Sequence, residues 1–271
     1  MPTRPESEVG GRIAVAGSQW ITEYLLRALL AEDIAPELLI SIGPEHAEKI
    51  SGYVDLAPLA AAHGLELYRP ADFSLDTGPD REVLLARPFD VLLVFGWQRL
   101  VPGWLLDHCA RGAFGVHGGP EKPPRCRGQA IFNWALILGA RRFYMYLFKL
   151  APEADSGEIV ELTEFEITPH DDVRSLYHKN CVVSTRMILR NLPAILAGTV
   201  ALELQPTTGA TYLPGRRPEQ GGIAWDDSAE RIANLVRALA PPYPGAFTLL
   251  DGVRLVVIRA HVFDKIGRAH V

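Results

Sequence analysis

The segment Phe89–Phe95 reads FDVLLVF and is followed by Gly96. A continuous apolar run of this length suits a strand that is buried on both faces of a parallel sheet. Three shorter strand-like segments precede it, at Arg12–Ala16, Glu37–Ile42 and Leu65–Tyr68. Helix-like segments separate them, at Ile21–Ala31 and Val54–His63. This alternation predicts an α/β fold with a Rossmann-like, open and mostly parallel sheet.

The C-terminal third has a different pattern. A long helix is predicted over Asp171–Ala197, and the polar stretch TTGATYLPGRRPEQGG follows at Thr207–Gly222. A further helix (Asp226–Ala240) and two strand-like runs joined by Asp251-Gly252 come next, and Asp-Gly is a strong hairpin signal. We therefore predict a smaller α+β, OB-like lobe, which a single hairpin leaves incomplete. The predicted boundaries are 11–200 for the first domain, 201–222 for the linker, 223–264 for the lobe and 265–271 for an unstructured or non-native tail.

Composition excludes several classes of protein. The chain of 271 residues is 48% apolar and 22% charged, with a net charge of −5. A protein that grips a nucleic-acid backbone usually has a basic surplus, so a large nucleic-acid partner is not expected. No apolar run reaches the roughly 18 residues of a membrane span, and the N-terminus lacks a secretory core. Cys109, Cys126 and Cys181 have neither disulfide nor metal spacing, so we expect a cytoplasmic protein with reduced thiols and no metal.

Ligands of open sheets bind beyond the carboxyl ends of the strands. The first such end reads AVAGSQW around Gly17 and lacks the glycine pattern of dinucleotide-binding proteins, which argues against a nicotinamide cofactor. Gly96-Trp97-Gln98 and the loop expected after Val116 are the other ends that could carry a site.

Four charged residues could carry chemistry. His117 follows the strand-like run Ala113–Val116 and precedes two glycines, so it is either a general base near neutral pH or a structural histidine. Asp155 lies in PEADSGEIV, where an ordinary turn is the alternative to a catalytic role. Arg125 and Arg127 could clamp a phosphate or carboxylate, or simply face solvent.

Taken together, the segments FDVLLVFGWQRLVP, GAFGVHGG, PRCRGQAIFNWALILG, EADSGEIV and RRPEQGGIAWDDSAERIANLVRALAPPYPGAF resemble the 10-formyltetrahydrofolate-dependent formyltransferases. The resemblance runs from about Gly11 to Asp264. It is closest to the branch that formylates amino sugars such as UDP-4-amino-4-deoxy-L-arabinose. The last segment is specific to the two-lobed members of the family.

The resemblance implies a catalytic Asn, a His two residues later and an Asp in a D-x-G turn. The His and Asp fall on His117 and Asp155, whereas the Asn position is occupied by Gly115. Loss of one such amide donor typically costs about 2.7–4 kcal/mol of transition-state stabilisation. The donors that could replace it, judged by side-chain type, are Gln98, Gln129 and Asn133.

The resemblance also implies the binding residues. Those expected to bind the 10-formyltetrahydrofolate cosubstrate are Gln98, Arg99, Leu100, Val101, Ala154 and Asp155. Those expected to bind the acceptor are Gly118, Gly119, Arg125 and Arg127.

The function implied is formyl transfer to an amine, with an amine on a nucleotide-linked sugar as the first hypothesis. Methionyl-tRNA formyltransferase is the first alternative, which keeps tRNA as a possible partner, although Arg216-Arg217 is offset by Glu203 and Glu219. The second is a folate- or nucleotide-binding homologue with weak or altered catalysis, because of Gly115. No membrane partner is expected, and the apolar second lobe could support a homodimer.

Overall fold

The central feature is a seven-stranded sheet. A computed structural model describes residues 11–263, so the tail expected over 265–271 lies outside the described residues. The strand order is β3-β2-β1-β4-β5-β7-β8, and β1 pairs in parallel with both β2 and β4. The pairings of β2 with β3 and of β4 with β5 are also parallel. The predicted α/β class is confirmed.

The strands of this sheet are β1 (Ile13–Ala16), β2 (Leu38–Ile40), β3 (Glu66–Tyr68), β4 (Val91–Val94), β5 (Gly112–Gly119), β7 (Arg142–Lys149) and β8 (Ile159–Glu166). The short strands β6 (Arg127–Gly128) and β9 (Tyr212–Leu213) pair in parallel, and β10 (Ala246–Leu250) pairs with β11 (Val253–Val257). The helices are α1 (Trp20–Ala31), α2 (Ala57–His63), α3 (Gly78–Leu85), α4 (Gly103–His108), α5 (Ile131–Ile137), α6 (Val173–Ala197) and α7 (Ala229–Ala238). Two short 3-10 helices cover Pro44–Lys49 and Pro218–Gly221.

The described chain divides into two compact units that are discontinuous in sequence. The first contains the chain up to His117, with Tyr146–Leu162 and Cys181–Gln205. The second contains Gly118–Met145, Thr163–Asn180 and the chain from Pro206 onward. The domain boundaries expected from the sequence remain predictions.

The run Phe89–Phe95 forms the buried strand that the sequence predicts. Leu92 and Leu93 are fully buried, as are Ala14 and Val15 on the neighbouring β1. The register pairs Ala14 with Leu92 and Val15 with Leu93. Burial on both faces explains why this strand has no polar alternation.

Two features depart from the sequence-based expectations. Helix α3 was not expected, yet the Thr77 side chain accepts a hydrogen bond from the Asp80 backbone, which caps it, and a proline lies in its first turn. Strand β5 continues through Gly119. The prediction of a loop after Val116 was therefore wrong, because Gly118 and Gly119 are strand residues.

The C-terminal lobe contains helix α7 and the predicted hairpin. Ser228 caps α7 by accepting a hydrogen bond from the Arg231 backbone. The hairpin turn holds Asp251 at φ 50° and Gly252 at φ 79°. Both residues lie in the left-handed region that two-residue hairpin turns require. Among the described helices, none combines the length and apolar character that a membrane crossing needs.

Candidate active site

Strand β5 carries two of the residues singled out by the sequence. Side chains alternate along a strand, so Gly115 and His117 point to the same face. His117 is 8% exposed and Gly115 is buried. His117 therefore lies within a rigid strand and not in a loop.

Gly118 and Gly119 lie where the chain packs too closely against its neighbours for a side chain to fit. A Cβ on Gly118 would lie 2.4 Å from the carbonyl oxygen of Tyr144, and one on Gly119 would lie 2.5 Å from the Cβ of Cys126. Neither glycine has the left-handed φ of a tight turn. Their role in acceptor binding stays a prediction.

Asp155 lies in a tight turn that precedes β8. Its φ of 53° is unusual for a residue with a side chain. Within the turn, the Ser156 hydroxyl donates to the Glu153 carbonyl at 2.8 Å. A Cβ on Gly157 would lie 1.7 Å from the Lys149 carbonyl oxygen, so only glycine fits there. The sequence predicted the turn from the Asp-Ser-Gly chemistry.

The strand and the turn bring two ionisable groups together. His117 Nε2 lies 3.6 Å from Asp155 Oδ2, and their side chains are 10% and 21% exposed. This separation suits a charge pair, and it is too long for a hydrogen bond. The ring of Tyr146 packs edge-on against His117 with 5.7 Å between ring centroids. A base oriented by a carboxylate is an arrangement that general acid–base chemistry uses.

A cavity opens beside this pair in the same unit. Residues of the His117–Asp155 region and of the loop after β4 line it together: Trp97, Arg99, Leu100, Val101, Gly115, Val116, Ala154 and Asp155. Apolar side chains complete the wall: Val94, Leu106, Phe148 and Leu150. Of the six residues expected to bind the cosubstrate, five line this cavity. Gln98 is exposed and is not among the lining residues.

Gly115 leaves little room for a larger side chain. A Cβ there would lie 3.1 Å from Leu150 Cδ2 and 3.3 Å from the Val94 carbonyl oxygen. Either neighbour would have to move by a few tenths of an ångström. The glycine therefore fits a strand that is packed closely where the family pattern has Asn.

The replacement donors suggested by the sequence differ in availability. Asn133 is 1% exposed and its Nδ2 donates to the Ala238 carbonyl at 2.8 Å. Gln98 and Gln129 are exposed. Trp97 also lines the cavity, and its buried Nε1 has no hydrogen-bond partner within residues 11–263. The sequence placed Trp97 at a strand end that could carry a site, but it assigned this residue no role.

Arg125 and Arg127 have different environments. Arg125 is exposed and forms an ion pair with Glu121 at 2.8 Å. Arg127 is 6% exposed, and its Nη1 donates to the Tyr212 hydroxyl at 3.3 Å. The alternative of two solvent-facing arginines therefore fails for Arg127. A shared role for the two arginines in clamping an acceptor stays a prediction.

The three cysteines lie outside disulfides and are buried, and burial raises the pKa of Cys126. Burial also raises the pKa of Cys109 to about 12 and that of Cys181 to about 11, so neither thiol forms the nucleophilic thiolate readily. Residues 11–263 contain no group of three His, Cys, Asp or Glu side chains that could hold a metal ion.

Solved structures with the same fold include three informative relatives. A Mycobacterium tuberculosis protein for which sugar N-formyltransferase activity has been suggested is 18% identical, with a TM-score of 0.71 over 94% of this chain and 100% of that chain. The N-formyltransferase from Helicobacter canadensis, in complex with folinic acid and dTDP-3-aminofucose, is 14% identical, with a TM-score of 0.67 over 90% and 85%. HypX from Aquifex aeolicus, in complex with tetrahydrofolic acid, is 18% identical, with a TM-score of 0.64 over 92% and 37%. Similarity at this level of identity establishes the shared fold.

Two sequence-family models establish the family. "Formyl transferase" matches residues 77–192, which include β5 and the Asp155 turn. "Formyl transferase, C-terminal domain" matches residues 216–270, which include α7 and the hairpin. The models follow each other along the chain in the order of a two-lobed member, and this chain belongs to the formyl transferase family.

Proposed function

We propose that this protein transfers a formyl group from 10-formyltetrahydrofolate to an amine on a nucleotide-linked sugar. The observation that carries the proposal is the His117–Asp155 pair, which lies beside a cavity lined by five of the six expected cosubstrate residues. The family assignment supplies the reaction class. The Helicobacter relative, bound to folinic acid and an amino sugar on dTDP, supports both substrate classes.

The cavity residues fit a folate-type donor. Its apolar walls suit a flat ring, and the loop from Trp97 to Val101 offers polar groups at one side. The unpartnered Nε1 of Trp97 could donate to a ring acceptor, because a buried indole N–H usually finds a partner. Arg99, which is exposed, has its guanidinium 5.8 Å from the Phe73 ring centroid and could meet an acidic group of the donor.

Formyl transfer needs a proton to leave the acceptor amine. The amine nitrogen attacks the formyl carbon, a new C–N bond forms, and the bond from the formyl carbon to the donor nitrogen breaks. His117 would accept the amine proton and return it to the departing nitrogen. Asp155 would orient the imidazole and favour its charged form. Negative charge on the formyl oxygen would be stabilised by His117 once protonated, and by whatever donor replaces the family Asn.

The acidic balance favours a small acceptor over tRNA. The net charge of −5 weighs against a large phosphate-contacting surface. HypX also shares the fold, so the fold by itself does not select an amino-sugar acceptor.

The proposal is tested by incubating the protein with 10-formyltetrahydrofolate and a panel of nucleotide-linked amino sugars. Release of tetrahydrofolate and formation of a formylated sugar, detected by mass spectrometry, are expected for at least one acceptor. The matched control is the same nucleotide sugar with a hydroxyl in place of the amine. Methionyl-tRNA is tested in parallel. Formylation of tRNA alone, or of no acceptor at all, would overturn the proposal.

A further inference from the structure

The amide side chain of Gln205 donates two hydrogen bonds to the turn that carries Asp155. Gln205 is 8% exposed, and its Nε2 donates to the Asp155 carbonyl at 2.9 Å and to the Gly157 carbonyl at 2.8 Å. A primary amide has two N–H groups. Both hydrogens of Gln205 are thus directed at one turn, to carbonyls two residues apart.

The backbone around Gln205 is fixed to the neighbouring strand. Glu203 and Ile159, the first residue of β8, exchange two backbone hydrogen bonds of 2.7 and 2.8 Å. This isolated bridge holds the chain two residues before Gln205 against the end of the turn. The segment 201–222 that we predict as a linker therefore makes an ordered backbone contact with β8 near its start.

The two bonds from Gln205 act on a residue in an uncommon backbone conformation. Asp155 holds a left-handed φ of 53°, which costs a residue with a side chain roughly 1–2 kcal/mol. Within the turn, the Ser156 hydroxyl and backbone N–H both donate to the Glu153 carbonyl. The two bonds from Gln205 fasten the backbone at the residue whose carboxylate faces His117.

We infer that Gln205 is a positioning residue that sets the distance and angle between Asp155 and His117. It acts through the turn, and the inference rests on the proposed function of that pair. The gap of 3.6 Å between the two side chains leaves little tolerance, because a misplacement of about 1 Å typically costs a hundredfold in rate. Neither the family resemblance nor the local sequence marks Gln205.

Two substitutions separate positioning from general stability. Gln205→Ala removes both donors at every pH. Gln205→Glu keeps the shape, and its ionised carboxylate repels both carbonyls, whereas its protonated form offers one O–H donor. We expect kcat to fall about 10- to 100-fold in both variants at pH 7.5, with smaller changes in KM.

The matched control is Asn191→Ala. The Asn191 amide also makes two hydrogen bonds, to Glu161 at 2.6 Å and to the Met187 carbonyl at 2.8 Å, on helix α6 and β8 of the same unit. This variant should lose stability and keep its kcat within about twofold, since it leaves the turn intact.

The decisive measurement is kcat relative to wild type as a function of pH. The relative kcat of Gln205→Glu should rise as the pH falls through the titration of the new carboxyl group, while that of Gln205→Ala stays constant. Taking the ratio removes the pH dependence that the variants share with wild type. A relative kcat close to one at every pH in both variants would overturn the inference.

A second measurement does not depend on activity. Hydrogen exchange of the peptide spanning residues 150–158 should be faster in Gln205→Ala than in wild type, and unchanged in Asn191→Ala. If wild type has no formyltransferase activity, the proposed function fails, and exchange alone decides whether Gln205 restrains the turn. Unchanged exchange in Gln205→Ala would show that it does not.

Discussion

Two turns of this protein hold an aspartate in nearly the same left-handed conformation. Asp155 has a φ of 53° and Asp251 a φ of 50°. The Asp251 turn closes an exposed two-stranded hairpin, and a Cβ on its Gly252 would meet nothing within 4 Å. The Asp155 turn is fastened by Gln205 from 50 residues away, and its Gly157 has no room for a Cβ.

The difference shows what each turn is for. A hairpin turn only reverses the chain, and local Asp-Gly chemistry is sufficient for that. A turn that aims a carboxylate at a histidine must be fixed in three dimensions, which requires contacts from distant parts of the chain. Substitution of the aspartate, or of the glycine that comes after it, should therefore have unequal effects in the two turns.

The largest expected difference is between the two glycines. Gly157→Ala drives a methyl group into the Lys149 carbonyl, so we expect a loss of more than about 4 kcal/mol in the free energy of unfolding, or no cooperative transition. Gly252→Ala places a methyl group in open space and should cost about 1–2 kcal/mol for its left-handed φ. Urea denaturation of both variants measures this. Similar losses of unfolding free energy in the two variants would contradict the proposed difference between the turns.

The two aspartates should differ next, in activity. Asp155→Asn keeps the shape and removes the charge that faces His117, so kcat should fall about 100- to 1000-fold. Asp251→Asn should leave kcat within about twofold of wild type, because Asp251 has no role in the proposed reaction. Its turn needs only a left-handed φ, which Asn tolerates. Steady-state kinetics checks both. Full activity of Asp155→Asn would remove the catalytic role of the pair.

A third aspartate shows what a purely structural carboxylate does. Burial would raise the pKa of Asp171, but hydrogen bonds from Lys179, the Thr168 backbone and Ser175 outweigh it and lower this pKa to about 2. A carboxyl whose folded pKa is depressed stabilises the fold above its unfolded pKa of 3.8, and this contribution is lost as the pH falls towards 2.

Asp171→Asn should therefore cost about 2 kcal/mol of unfolding free energy at pH 7. The difference from wild type should shrink between pH 4 and pH 2, and kcat should be unaffected. Urea denaturation across this pH range measures it. A cost that does not change with pH would show that packing, and not charge, makes Asp171 important.

The smallest expected effect is at Gly115. Gly115→Asn restores the family amide, and Gly115→Ala adds the same Cβ without it. Because Leu150 and Val94 crowd this position, we expect both to lose some stability. Gly115→Asn should have a kcat about tenfold above that of Gly115→Ala, because the amide can donate to the formyl oxygen. Equal kcat values would mean that another donor already fills this role.

The sequence predicts the elements whose signals are local. The apolar run at Phe89–Phe95, the Asp-Gly hairpin and the long helix α6 all follow from patterns within a few residues. His117 and Asp155 were singled out by residue type and by resemblance, and the structure brings them to 3.6 Å.

The features that sequence reasoning missed depend on long-range packing. The continuation of β5 through Gly118 and Gly119 is invisible locally, because paired glycines more often indicate a turn. What makes them strand residues is close backbone packing, such as that of Gly118 on Tyr144. Gln205 lies in the segment 201–222 that we predict as a linker, and its partners are about 50 residues earlier.

The central claim is that formyl transfer depends on the His117–Asp155 pair. The most direct test is single-turnover formyl transfer by His117→Asn and wild type, with saturating 10-formyltetrahydrofolate and the preferred amino sugar. We predict a rate at least about 100-fold lower in the variant, with donor binding retained and unfolding free energy within about 1 kcal/mol of wild type. A variant that folds, binds the donor and transfers formyl at the wild-type rate would contradict the account.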